Sequence, residues 1–272
     1  LDDGRRAFVK AAGTELNPVS PAMHRTEAAV LAALPADHPA PRLIGAVDDG
    51  DWVALAVEWV DGDVPRTPLS MSDTRRMLAL AHRLAIVGAG RRPDGVVSLI
   101  EQHPGLTGHW QRLAGADDGL VDHLDAWSCR HLDRLAALDA HCEEAALGDT
   151  LLHVDLRTDN VLFSRRGPDH DVVVDWPSAA IGAAWIDLVG MLPALHLDGA
   201  PPPHELFDRH PLARDADDEA VTAFLAGLAG YFTRQALLEP PPGLPTLRAF
   251  QAEQGRIARR WLAGRLGVEG AG

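Results

Sequence analysis

A histidine, two aspartates and an asparagine stand in an order that suits phosphoryl transfer. Residues 153–160 read HVDLRTDN, and the apolar run 172–174 then ends at Asp175. A loop carboxylate such as Asp155 can accept the proton of an attacking hydroxyl. An amide oxygen and a second carboxylate are hard ligands of the kind that magnesium takes beside nucleotide phosphates. We therefore predict Asp155 as the general base, and Asn160 and Asp175 as Mg²⁺ ligands.

The same residues have a simpler interpretation, because Asp and Asn often stabilise turns through their side chains. That interpretation does not account for the whole ordered pattern, so we favour the catalytic one. Arg157 lies two positions after the candidate base. It would either stabilise the charge that develops on a transferred phosphoryl group or form a salt bridge with an acidic neighbour. The sequence leaves both roles of Arg157 open.

Two further polar residues are predicted to brace this loop. Asp187 lies in the apolar stretch WIDLV at residues 185–189, where a buried carboxylate needs hydrogen-bond partners. We expect it to hydrogen-bond the loop of residues 153–160. We expect His153 to have a similar structural role and not to act as the base.

The single lysine of the chain is a candidate phosphate ligand. Of the 25 basic residues, 24 are arginines, and the exception, Lys10, follows the strand-like run AFV. A compact ammonium suits a phosphate contact. We predict that Lys10 binds the α- and β-phosphates and that Glu27, on the next helix, fixes its position. The alternative is an ordinary strand lysine and a solvent-facing glutamate.

The apolar run LAVEWV at residues 55–60 leads into the polar segment DGDVP. A strand that enters a hinge between lobes can offer its main chain to an adenine ring. We predict that the backbones of Glu58 and Val60 do so, the alternative being an ordinary edge strand.

The predicted elements fall into two lobes. Residues 1–60 form a small α+β lobe, residues 61–68 a linker, and residues 69–272 a larger, mainly helical lobe. Periodicity and turn signals predict strands at 5–12, 42–47 and 52–60, two short strands within 151–175, and helices at 20–34, 70–89, 120–147, 184–196, 217–238 and 245–266.

Composition excludes several classes of partner. The net charge of −14 argues against nucleic acid and against an anionic membrane surface. The most apolar segment, residues 179–195, contains Asp187 and Pro193 and is too short to span a membrane comfortably. The two cysteines, Cys129 and Cys142, have no CxxC spacing and are expected to be buried free thiols. With no signal peptide visible, these features predict a cytoplasmic protein, and nothing in the sequence sets its oligomeric state.

Residues 101–149 carry half of the excess negative charge, with ten acidic residues against three arginines. Such a stretch either attracts a cationic substrate to a cleft or simply forms a solvated surface. We favour the solvated surface.

These motifs resemble those of the aminoglycoside phosphotransferase family of small-molecule kinases. The resemblance rests on HxDxxxxN at residues 153–160, VVDW at residues 173–176, and Gly182 followed by Asp187 and Leu188. It implies an α+β, two-lobed protein-kinase-like fold with a small sheet-plus-helix N-lobe and a larger, mainly helical C-lobe. It also implies ATP or another nucleoside triphosphate, Mg²⁺, and transfer of the γ-phosphate to a small-molecule hydroxyl.

Two features depart from the family's pattern. The family usually has two strands and a nucleotide-covering loop before the lysine strand, whereas nine residues precede Lys10. We expect either that those strands are missing from this sequence or that the phosphate cover is reduced. The second departure is Arg157, whose position is often His in the family.

The acceptor and two rival functions complete the interpretation. An antibiotic such as an aminoglycoside is our first acceptor class, and a metabolic alcohol or amino alcohol is the alternative. A protein kinase would need a long activation segment, but Asp175 and Asp187 are only twelve residues apart. A nucleotide-binding pseudokinase is disfavoured because the base and both metal ligands are present.

Overall fold

A computed structural model describes residue 4 and residues 6–15, 17–115 and 119–268. The chain divides into two compact units, Leu1–Val97 with Asp149–Asp187, and Ser98–Gly148 with Leu188–Gly272. Within the described residues, the strands belong to the first unit and the second is helical. The mixture of a small sheet and many helices confirms the predicted α+β class. The lobe boundaries at residues 60 and 68 stay a prediction.

In the first unit, a three-stranded antiparallel sheet packs against one helix. The strands β1 (Ala7–Gly13), β2 (Leu43–Asp48) and β3 (Trp52–Glu58) lie in the order β1-β3-β2, and the helix is α1 (Ser20–Ala33). Because side chains alternate along a strand, β3 buries every second residue. Its buried residues are Val53, Leu55 and Val57.

The remaining strands of this unit are short and surround the loop that carries the candidate base. They are β4 (Gly62–Asp63), β5 (Thr150–Leu152), β6 (Val161–Ser164), β7 (Val172–Val173) and β8 (Ala180–Gly182). β6 pairs with both β4 and β7, and β5 pairs with β8. The predicted linker therefore contributes one strand to a sheet, a role that its Asp-Gly turn residues did not indicate.

The helix α2 (Met71–Gly88) packs against β5 and supports it. Its N-terminus is capped by Ser70, whose hydroxyl accepts a hydrogen bond from the Asp73 N–H. At its other end, a Cβ on Gly88 would lie 2.6 Å from the Leu151 carbonyl oxygen. Only glycine allows the helix to approach the strand this closely.

The second unit contains the other α-helices in the described part of the chain. They are α3 (Leu99–Gln102), α4 (His109–Gly115), α5 (Ala126–Asp139), α6 (Cys142–Ala145), α7 (Ile186–Leu197, whose first two residues belong to the first unit), α8 (Pro203–Asp208), α9 (Pro211–Arg214), α10 (Asp218–Ala236) and α11 (Leu247–Arg265). The long helices α10 and α11 pack on each other, and α10 also contacts α4, α5 and α6.

The prediction of one continuous helix over residues 120–147 is wrong. The structure has a short 3₁₀ turn (Leu120–His123), then α5, then α6. The carboxylate of Asp125 accepts from the Ser128 N–H and starts a new helix, so the apolar stripe that suggested one helix is shared by separate segments. The other predicted long helices are confirmed to within three residues at each end.

The prediction of buried free thiols is confirmed for one of the two cysteines. Cys142 is buried, but Cys129 is exposed, so the prediction of two buried thiols is wrong for Cys129. Both are free thiols.

In the described residues, every helix is too short or too polar to cross a bilayer. The predicted strand at 5–12 is found as β1, while residue 5 lies outside the described residues.

Close packing of α10 against α4 gives a stability prediction. A Cβ on Gly230 would lie 2.7 Å from the ring of Trp110, which is fully buried and donates its indole N–H to the Ala226 carbonyl. We expect Gly230→Ala to lower the free energy of unfolding by about 1–3 kcal/mol through overpacking. The control is Gly264→Ala on α11, where a Cβ meets no atom within 4 Å. It should stabilise by up to about 1 kcal/mol. Urea unfolding of both variants tests this, and equal effects would contradict it.

Candidate active site

One buried carboxylate fixes the loop that follows β5. Asp187 accepts hydrogen bonds from the backbone N–H groups of His153, at 2.8 Å, and of Val154, at 2.7 Å. Val154 has a φ of 70°, a left-handed conformation that a β-branched residue rarely adopts. Because both oxygens of Asp187 are engaged, the carboxylate determines the direction in which the chain leaves β5.

Burial raises the pKa of Asp187 to about 6, although its two backbone hydrogen bonds favour the charged form. A carboxyl whose pKa is higher in the folded than in the unfolded chain takes up a proton on folding between the two values. Its contribution to stability is therefore present at acid pH and is lost as the pH rises through about 6.

This shift predicts an unusual pH dependence for Asp187→Asn. The variant cannot take up that proton, so the stability lost relative to the wild type should be larger at pH 4.5 than at pH 7. Urea unfolding of both proteins at the two pH values measures the difference. A loss that is smaller at pH 4.5 would contradict the assignment of the raised pKa to Asp187.

His153 is completely buried and braces the same loop. Its Nε2–H donates to the Val174 carbonyl at 3.0 Å, and its ring packs edge-on against Trp176 at a centroid distance of 4.7 Å. Burial lowers the pKa of His153 to about 4, so the imidazole is neutral near pH 7. Its bonded nitrogen points at a carbonyl, which suits a structural group and not a base.

Both oxygens of Asp155 are engaged by neighbours on its own loop. Asn160 Nδ2 donates to Asp155 Oδ2 at 3.1 Å and to the Asp155 carbonyl at 2.8 Å. Arg157 Nε lies 3.4 Å from Asp155 Oδ1, and Arg157 Nη2 donates to Asp159 at 3.0 Å. Of the two roles left open for Arg157, the structure thus contains the salt bridge.

Burial raises the pKa of Asp155, and the guanidinium of Arg157 partly opposes that shift. A raised pKa makes a carboxylate a stronger proton acceptor. An incoming hydroxyl would have to displace Arg157 from Oδ1 or bind beside it. The arrangement therefore combines a carboxylate of raised pKa with a partly exposed guanidinium beside it.

Lys10 joins three separate parts of the first unit. Its Nζ lies 2.7 Å from Glu27 Oε2 and 2.9 Å from Asp175 Oδ1. Burial lowers the pKa of Lys10, but the hydrogen bonds to Asp175 and Glu27 outweigh it, so that the pKa is raised overall. Glu27 is almost fully buried and also accepts from the Trp176 N–H at 3.4 Å. The ammonium is therefore charged and held in place.

The loop at residues 153–160 is connected to the cluster formed by Lys10, Glu27 and Asp175. The Val174 N–H donates to the Asn160 carbonyl at 2.9 Å, and the charge of Asp175 contributes to the raised pKa of Asp155. Asp175 itself has a φ of 69°, again a left-handed conformation in a residue other than glycine. Such strain occurs mainly where surrounding contacts hold a functional residue in position.

In the described part of the chain, no hydrogen bond or ion pair joins the predicted adenine contacts, Glu58 and Val60, to Lys10 or its partners. The Glu58 N–H donates to the Arg42 carbonyl at 2.8 Å, and the Glu58 carboxylate accepts from Arg42 Nε at 3.2 Å. A ligand at this segment would use the carbonyl of Glu58, and not its N–H. Glu58 and Val60 also line a cleft of about 480 Å³ within the first unit.

Asn160 and Asp175 present oxygens of the type that Mg²⁺ prefers. With Nδ2 of Asn160 bonded to Asp155, its Oδ1 remains, and Asp175 Oδ2 remains beside the oxygen that contacts Lys10. The described ranges contain no cluster of three His, Cys, Asp or Glu residues suited to a metal. Mg²⁺ is commonly held by one or two protein oxygens with phosphates and water. The residues thus suit an Mg²⁺ ion that is also bound by nucleotide phosphates better than an ion bound by protein ligands alone.

Sequence reasoning missed two members of this arrangement. Asp159 binds Arg157, and Trp176 packs on His153 and contacts Glu27. The only signal for Asp159 was its position within HVDLRTDN. For Trp176 it was a large aromatic residue directly after the candidate metal ligand.

Comparison with known proteins decides the family. Residues 1–238 match the sequence model of the phosphotransferase enzyme family, abbreviated APH. The chain belongs to this family. No curated protein matches this phosphotransferase in sequence.

Solved structures share the fold of this phosphotransferase at low sequence identity. An aminoglycoside phosphotransferase from Alicyclobacillus acidocaldarius is 16% identical over 97% of this chain and 87% of its own, with a TM-score of 0.55. A thermostable mutant of aminoglycoside phosphotransferase APH(4)-Ia, in ternary complex with AMP-PNP and hygromycin B, is 15% identical over 97% and 85%, with a TM-score of 0.56. A choline/ethanolamine kinase family protein from Mesorhizobium loti is 15% identical over 96% and 82%, with a TM-score of 0.57. They confirm the predicted kinase-like fold.

Proposed function

We propose that this phosphotransferase moves the γ-phosphate of ATP, with Mg²⁺, to a hydroxyl of a small molecule in the cytoplasm. The observation that carries the proposal is the position of Lys10 between Glu27 and Asp175, next to a loop with Asp155 and Asn160. An ammonium, a base and two hard oxygen ligands are the parts that phosphoryl transfer requires.

Each side chain has a definite role in the proposal. Lys10 binds the α- and β-phosphates and is oriented by buried Glu27. Asp155 accepts the proton of the acceptor hydroxyl on the oxygen that Arg157 now contacts. Arg157 is then released toward the transferred phosphoryl group, where a cation stabilises the developing charge. Asp187 and His153 hold the loop in the required conformation.

Asn160 and Asp175 would hold the Mg²⁺ ion that accompanies the nucleotide. When bound, such an ion neutralises phosphate charge and orients the phosphates for in-line displacement. The Asn160 amide has a second task, because its Nδ2 binds Asp155 and keeps the base beside the metal ligand. The carbonyl of Glu58 and the N–H of Val60 are the proposed adenine contacts.

The acceptor class is supported by the structural neighbours. One was solved with AMP-PNP and hygromycin B, and another belongs to the choline/ethanolamine kinase family. We propose an aminoglycoside or similar antibiotic as the acceptor, with amino alcohols as the second class. The net charge of −14 favours a cationic acceptor over an anionic one.

The test of this function is a coupled ADP-release assay with ATP and Mg²⁺. The panel contains aminoglycosides, other hydroxylated antibiotics, and choline-like and sugar alcohols. Stimulation by an aminoglycoside supports the first acceptor class, and stimulation by an amino alcohol alone supports the second. Absence of both ATP binding and stimulation contradicts the proposal.

Asp155→Asn tests the base. It keeps the shape of the side chain but cannot accept a proton, so kcat should fall by roughly a hundredfold to ten-thousandfold. Nucleotide affinity should change by less than about twofold, because Asp155 is not a phosphate ligand in the proposal. The matched control is Asp159→Asn. It removes a carboxylate of the same loop whose hydrogen bonds and ion pairs, among the described residues, are with Arg157 alone. Similar losses of kcat in both variants would contradict the assignment of Asp155 as the base.

Asp175→Asn tests the metal site. The substitution removes a charged magnesium ligand, so the gain in ATP affinity on adding Mg²⁺ should largely disappear. Isothermal titration calorimetry with and without Mg²⁺ measures that gain, and Asp159→Asn again serves as the control. An unchanged Mg²⁺ dependence would show that Asp175 holds no metal.

A further inference from the structure

A cavity of about 520 Å³ lies within the second unit, and none of the residues assigned above lines it. Its size is within the range of small-molecule pockets, roughly 300–1,000 Å³. Part of its wall is apolar, formed by Pro202, Pro203, Ile257 and Trp261. The charged residues on the wall are Asp208, Asp218, Arg260 and Arg265. An apolar wall with a few charged groups is typical of sites for small organic ligands.

The helix that forms much of this wall is basic in a strongly acidic chain. α11 carries five arginines and one glutamate, a net charge of +4, while the whole chain carries −14. Four of these arginines bond to protein groups through their guanidinium groups: Arg248, Arg256, Arg259 and Arg265. Arg260 has no hydrogen bond or ion pair with any described residue. A free guanidinium on a cavity wall is a ready donor for an oxyanion.

The other charged residues on the wall differ in whether they are already paired with a protein group. Arg265 Nη2 lies 2.5 Å from Asp218 Oδ1, so these two charges neutralise each other. Asp208 is exposed at the rim and has no such partner among the described residues. It would weaken the binding of an anion and strengthen that of a cation.

A glycine keeps this wall open. Gly264 lies inside α11, where glycine lowers helix stability relative to alanine. A Cβ at this position meets no atom within 4 Å, so close packing does not require the glycine. It lines the cavity together with Arg260, one turn earlier on the helix. A side chain at 264 would extend into the space that a ligand would fill.

We infer that this cavity binds a small molecule that carries an oxyanion, a phosphate or a carboxylate, on an apolar body. The Arg260 guanidinium pairs with the oxyanion, and the apolar body contacts Ile257 and the prolines. No residue of the proposed catalytic site lines this cavity, so the inference does not depend on the identity of the acceptor.

The test measures binding of phenyl phosphate, benzoate and inorganic phosphate to the full chain by calorimetry at low ionic strength. Arg260→Gln should weaken the best probe at least about tenfold, since a charge-assisted hydrogen bond is lost. The matched control is Arg256→Gln, which removes the same charge from the same helix at a residue outside the cavity wall. It should change the affinity by less than about twofold, because Arg256 is already paired with Glu253 at 3.0 Å and does not line the cavity.

Two further variants make the test decisive. Gly264→Leu should abolish binding by filling the cavity, and it should leave the fold intact because its Cβ has open space. Asp208→Asn should strengthen binding two- to fivefold, on the order expected for removal of one exposed like charge. Preference for phenyl phosphate over benzoate identifies a phosphate ligand, and the reverse identifies a carboxylate. The inference is overturned if the wild type binds none of the probes, if Arg256→Gln weakens binding as much as Arg260→Gln, or if Asp208→Asn weakens it.

Discussion

The path of the loop at residues 153–160 depends on the buried carboxylate of Asp187. It accepts two consecutive backbone N–H groups and so holds Val154 in a conformation that its own side chain disfavours. Breaking this contact would free the strained backbone and move Asp155, the next residue along the chain. The strained backbone and the buried charge cost free energy. In return, the proposed base is held in position before any substrate arrives.

The charged groups around Asp155 and Lys10 are connected in a way that suits phosphates. Lys10 contacts Asp175 and Arg157 contacts Asp155, so each cation is paired with a carboxylate. Nucleotide phosphates and Mg²⁺ would replace these contacts by stronger ones. These ion pairs offset part of the repulsion between Asp155 and Asp175, which still contributes to the raised pKa of Asp155.

The fold class and most of the proposed site could be predicted from the sequence because they depend on local patterns. The spacing of HVDLRTDN and the lone Lys10 identified groups that the structure brings into contact. The break between the 3₁₀ turn and α5 could not be predicted, because apolar periodicity continues across the cap at Asp125. The exposure of Cys129 and the left-handed backbone of Val154 depend on tertiary contacts that no short pattern encodes.

The use of lysine at one position has a chemical consequence. Lys10 carries the only side-chain amine of the chain, and this amine lies between Glu27 and Asp175. Reagents that acylate amines therefore have a single side-chain target, and an acyl group there would remove the charge that holds the cluster together. Mass spectrometry of one modified residue would then report directly on occupancy of the cluster, without mutation or an attached probe.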